Sequence, residues 1–139
     1  MTLKQEAFNF IDTQKSAVLG TLMDGHPYGS IVPFVRHENK IIIYISTLAQ
    51  HYKNIVSNSK TSFTLYDSSK ENPQSEKRIC LMGEAKIHQG DFKYQDLYFE
   101  QFPNSKNFSN THGFYFCEIT ISQAHFIQGF GKINWLDLN

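Results

Sequence analysis

The sequence predicts a mainly β, α+β domain: six or seven mostly antiparallel strands curled into a closed or partly closed barrel, with three short helices filling its gaps. Three observations lead there. Short runs rich in β-branched and aromatic residues follow one another with hairpin-sized turns between them. Only three stretches carry helical spacing, and all are short. The third is Ile41-Ile42-Ile43-Tyr44-Ile45-Ser46, a β-branched run suited to a buried strand, which changes at once into helical spacing.

Taken in order, Leu3, Ala7, Phe8 and Ile11 recur at helical spacing, so residues 2–14 form an amphipathic helix. Residues 16–23 are a strand, Asp24-Gly25-His26-Pro27 a turn by composition, and 28–35 a returning strand. A polar turn at 36–39 leads into the strand 40–45. Leu48, Ala49, Tyr52, Ile55 and Val56 then share one arc of a helix ending near Asn58. Thr47 followed by Gln50 reads as a capping box for it. Residues 60–67 alternate as a strand, and 68–77 are polar with Pro73, a loop expected to be mobile. Residues 78–88 form a strand broken at Gly83, and 91–102 a helix ended by Pro103. A polar loop at 104–112, a long strand at 113–126 and a last strand at 130–135 complete the chain, read as one domain over residues 1–139.

Composition excludes several classes. Thirteen basic and thirteen acidic side chains cancel, so bulk charge indicates neither a nucleic-acid partner nor a membrane surface. No apolar run approaches the roughly 20 residues of a membrane span, and the first residues lack a signal-peptide pattern. A cytoplasmic protein is expected. Cys80 and Cys117 sit in apolar runs and read as small buried hydrophobes, their pairing left open. The 14% aromatic content exceeds what one small barrel interior readily hides. Edge strands also need covering, so a homodimer is expected.

Candidate chemistry gathers at residues 46–50. A strand running into a helix leaves the first amides of that helix without intrahelical partners, an end that attracts anions; the plain alternative is a surface helix that caps itself. Of the two arginines, Arg36 lies in a polar turn and reads as a solvated surface residue, and Arg78 opens a strand, facing an anion or solvent. Six histidines show no metal-ligand spacing, so no metal is expected. Ser30 has no base visible in the sequence. Nucleotide-binding glycine patterns are absent.

Pro27-Tyr28-Gly29-Ser30-Ile31-Val32-Pro33-Phe34, Ile43 through Ile55, and Arg78-Ile79-Cys80-Leu81-Met82-Gly83-Glu84-Ala85 together resemble the pyridoxamine 5′-phosphate oxidase-like family of FMN-binding split β-barrels. Within it the chain is most similar to the haem-utilisation branch, through Leu48-Ala49-x-His51-x-x-Asn54 and Gly129-Phe130-Gly131-Lys132-Ile133. The resemblance implies a homodimer with FMN at the subunit interface and oxidoreductase activity on a small substrate, or alternatively haem binding or a non-enzymatic flavin carrier. It implies that the strand at Ser30, Ile31, Val32 and Pro33 passes the isoalloxazine ring. Ile45, Ser46, Thr47, His51, Lys53 and Asn54 would surround the phosphate, reached also by Arg78, and the strand from Gln128 and Gly129 would come from the partner. Two departures qualify this. No arginine follows Arg78, where pyridoxine-phosphate oxidases hold substrate phosphate, and no histidine follows His125, where the haem-binding branch carries its tail ligand.

Overall fold

The computed structural model describes residues 1–69, 71–72, 76–110 and 113–139. The centre of the expected loop at 68–77, and His112, fall outside the described residues. Helices α1 (Leu3–Asp12), α2 (Gln50–Ser57) and α3 (Gln95–Gln101) flank eight strands: β1 (Ser16–Met23), β2 (His26–Pro33), β3 (Val35–His37), β4 (Lys40–Ser46), β5 (Lys60–Tyr66), β6 (Arg78–His88), β7 (Phe114–Ile127) and β8 (Ile133–Asp137). The strands form one antiparallel sheet in the order β2-β1-β5-β6-β7-β4-β3, with β8 also pairing β7. The sheet curls around a core built from Leu19, Ile43, Phe63, Leu81, Ile119 and Phe126. This is the mainly β barrel architecture that the alternation predicts.

Strand β7 explains how the sheet curls and splits. It is 14 residues long; β6 runs along one edge, and the other edge is shared, first by β4 and then by β8. Where the partner changes, Asn39 fills the gap: its side-chain amide donates to the carbonyls of Ile121 and Leu138, at 3.4 and 3.1 Å. Across β7, a register shift at Met82/Gly83 bends β6. A side chain on Gly83 would run into the Thr120 carbonyl, so the break requires glycine.

Several expectations are corrected. The expected strand 28–35 is two, because Pro33 cannot donate to a ladder and Phe34 turns into the core, its amide donating to the Lys15 carbonyl. Among the described residues this gives seven strands along the sheet, with β8 added on β7. Helix α3 starts later than expected because Phe92 is anchored in an aromatic cluster with Tyr98 and Phe116. The last strand is displaced by a turn, in which the Gln128 amide donates to the Lys132 carbonyl. Residues 103–110 form a 3₁₀ helix, not a loop. Arg36 is not a solvated side chain: it makes two 2.8 Å hydrogen bonds to the Asp12 carboxylate and covers the Phe8 ring. Both cysteines are free; Cys117 is buried, but Cys80 is half-exposed. No helix among the described residues is long and apolar enough to cross a membrane.

Candidate functional site

The turn into α2 is built differently from the expected capping box. Ala49 occupies the N-cap and makes no side-chain cap bond. The Thr47 amide is spent on the Gly113 carbonyl at 2.6 Å, so Gln50 cannot close a box onto it. Ser46 compensates in part, its hydroxyl accepting from the Leu48 amide at 3.1 Å. The first amides of α2 therefore start the helix without a side-chain acceptor, the arrangement that leaves them to an anion or to water.

Helix α2 is held by polar ties as much as by its apolar face. Ile55 is buried and Tyr52 packs on the core, but Leu48 and Val56, expected in the same stripe, are 83% and 64% exposed. The Asn54 amide donates to the Thr21 hydroxyl at 3.0 Å and its carbonyl accepts from Gln50 at 2.8 Å, with Asn54 and Thr21 each 3% exposed. His51 Nδ1 lies 3.0 Å from the Ser30 hydroxyl. Burial lowers the His51 pKa below its usual value, so near neutral pH the ring is uncharged and Nδ1 can accept from Ser30.

The predicted residues thus fall into separate groups. Ser30, Ser46, Thr47, His51 and Asn54 gather around α2, with Lys53 exposed on it. Val32 and Ile45 are core side chains, each 3% exposed. Ile31 and Pro33, alternating with them, point to the outer face of the sheet. Arg78 stands on that same face, opposite Ile127 and next to the turn that contains Gln128 and Gly129. Ser46 pairs with Phe114 and Arg78 with Ile127, so their partners are at opposite ends of β7.

The outer face contains what the sequence reading missed. Strand pairing places Ile31, Val18, Thr64, Cys80, His125 and Trp135 in one continuous row across six strands. Ile31 is 69% exposed and Trp135 61%, an uncommonly apolar surface for solvent to cover. The next row holds Gly29, Gly20, Ser62, Met82 and Gln123, flat at its glycine end. A hollow of ≈ 190 Å³ opens between Val18, Ile31, Thr64 and Tyr66. Thr21 was also missed, although its parity with Ala17 and Leu19 places a polar side chain on the inner face.

Tested against FMN, these residues fit in part. A flat apolar face suits the isoalloxazine ring, and the α2 amides, Thr47, Arg78 and the Gln128–Gly129 turn offer phosphate donors. Asn54 does not fit as a phosphate ligand, because its amide is committed inside the barrel.

Comparison with solved structures finds the same fold repeatedly. A haem-binding protein from Mycobacterium smegmatis matches at a TM-score of 0.87 with 18% identity, over 99% of this chain but only 58% of that one. HutZ, described as a haem storage protein, from Vibrio cholerae, matches at 0.74 with 21% identity over 93% and 96% of the two chains. A putative pyridoxamine 5′-phosphate oxidase from Listeria innocua matches at 0.72 with 12% identity over 91% and 98%. Comparison by sequence with curated proteins finds no match. The model of the family described as CREG, beta-barrel covers residues 5–139, and on that match the chain belongs to the CREG β-barrel family.

Proposed function

We propose that two copies of this chain associate through the outer sheet face and hold FMN between them, and that the dimer passes electrons between the flavin and a small substrate. The observation that carries this reading is the row from Ile31 to Trp135, apolar and exposed at both ends, on a face that also bears Arg78. A planar anionic cofactor needs both features, and a second copy supplies the cover that one sheet face lacks. In the dimer the α2 turn of one protomer meets the Arg78 and Gln128–Gly129 end of the other. Bound flavin supplies the redox chemistry. The protein's part is to anchor the phosphate, keep the ring flat against β1 and β2, and exclude water.

Purified protein incubated with FMN is expected to retain the flavin absorbance through gel filtration and to scatter light as a dimer at micromolar concentration. Ile31→Lys should yield monomer, because it buries a charge in the contact. Arg78→Ala should weaken FMN by about 1.5–3 kcal/mol and leave riboflavin, which lacks the phosphate, nearly unaffected. A wild-type monomer with no retained flavin overturns the reading.

A second reading is that the same face takes haem. It is favoured by the His125 imidazole, stacked on Trp135 with ring centroids 4.4 Å apart on that apolar surface, and by the descriptions of the similar Mycobacterium and Vibrio proteins.

A further inference from the structure

We infer that His125 is the residue that ligates haem iron in this chain, with Trp135 fixing its ring and Arg78 positioned for a propionate; the inference rests on the haem reading above. Haem needs a strong axial donor, an apolar floor and a cation for its carboxylates. The histidines of the chain can be sorted by what already occupies them.

His26 is exposed at the end of the β1–β2 hairpin, paired with Met23. His37 packs against Tyr94 with the rings tilted at 42° and lies 3.6 Å from the Glu38 carboxylate. His51 is tied to Ser30 at the inner mouth of the barrel. His88 is 2.9 Å from the Glu118 carboxylate and packs on Phe92, on the part of the sheet covered by the α3 aromatic cluster. His112 lies outside the described residues. His125 differs from all of these. It is half-exposed, it sits on the apolar outer face, and its contact is a ring stack at 27° to Trp135. Among the described residues neither of its nitrogens is spent on a carboxylate or hydroxyl as those of His51 and His88 are.

Its surroundings supply the other requirements. Stacking against an indole holds the imidazole plane while leaving its nitrogen edge free, the orienting role usually given to a neighbouring hydrogen bond. Ile127 and Ile133, paired with each other beside His125 and Trp135 on the same face, give the apolar floor, Ile133 being 58% exposed. Arg78 is two residues from Cys80 on β6, and Cys80 is directly opposite His125, so a guanidinium stands on the same face within the span of a porphyrin. Binding is simple ligand exchange: the imidazole lone pair displaces a water from ferric iron, with no change of oxidation state.

Haemin titrated into the wild type is expected to give a Soret band, and the electron paramagnetic resonance of the complex to be that of imidazole-ligated ferric haem. His125→Ala should lower haem affinity roughly tenfold or more, the size of effect seen when metal-site support is lost. In His125→Gly, added imidazole should restore the band, while His51→Ala should leave it intact. Circular dichroism melts report folding of each variant, and the wild-type resonance signal identifies the ligand even where a variant melts early. A thiolate signal, which would assign Cys80, overturns the inference, as does an unchanged Soret band in His125→Ala. No haem binding by wild type overturns both this inference and the haem reading, and leaves the FMN reading standing.

Discussion

Two four-residue segments of this chain carry nearly the same signal, Thr2-Leu3-Lys4-Gln5 and Thr47-Leu48-Ala49-Gln50, and only the first does what the signal says. At α1 the Thr2 hydroxyl accepts from the Gln5 amide at 3.1 Å and the Gln5 side chain accepts from the Thr2 amide at 2.8 Å. That is a complete capping box. At α2 the equivalent amide, that of Thr47, is already bonded to Gly113, and the Gln50 side chain donates to Asn54 instead. A capping box needs a free chain before the helix; Thr47 is still tied to β7 through the Gly113 carbonyl. The lesson is that the same local pattern yields a self-sufficient helix at a terminus and a tertiary-dependent one after a strand. The dependent helix is the one whose first amides are left for a ligand.

If α2 is held by the barrel and not by its own cap, cutting its deepest tie should do the most damage. Thr21→Val keeps the shape and β propensity of β1 but removes the hydroxyl that the Asn54 amide bonds. A donor left unsatisfied at 3% exposure costs about 1–3 kcal/mol. Urea melts should register that loss, and Thr21→Ser should recover much of it. An effect within a few tenths of a kcal/mol of wild type would mean that α2 docks by its apolar residues alone.

The next contrast is direct. Thr2→Ala should cost about 1 kcal/mol, the usual value of a lost N-cap, because α1 brings Ala7, Phe10 and Ile11 into the core. Thr47→Ala should cost clearly less through the helix, since no cap bond exists there to lose. Equal losses at the two positions would erase the distinction.

Much of the fold was legible because strand alternation needs no distant information. The bounds of β1 and β6 follow from their own residues, as does the break at Gly83. The failures share a cause. Ser30 meets His51 across 21 positions and Thr21 meets Asn54 across 33, and no local period reports such contacts. The sequence reading set Ile31 and Val32 together beside the flavin, although alternation puts them on opposite faces. It could not say that the outer face would be apolar as well, because that follows from the pairing of six strands in register. That Ser46 and Arg78 pair with opposite ends of β7 likewise depends on strand pairing, not on motif spacing.

The smallest expected effect comes from acid, and it too distinguishes the helices. Burial lowers the pKa of His51 from its ordinary 6.5, so the folded chain resists a proton that the unfolded chain accepts. Below the unfolded value the unfolded state binds more protons, and stability falls as pH drops through the folded value. Above 6.5 both states are neutral at this position and the contribution is fully present. Glu118 acts in a lower window. Burial pushes its pKa up, but hydrogen bonds from Lys40 and His88 outweigh that effect and hold it below 4.5, so the stability it adds is lost only under stronger acid. Comparing urea midpoints at pH 7.5 and 5.5 therefore falls in the range of His51 and above that of Glu118. Wild type should lose a little stability between these conditions, and His51→Gln should lose less, with α1 contributing nothing because it carries no histidine. Identical shifts in both proteins would mean that the neutral Ser30–His51 pair does not help to hold α2 against the barrel.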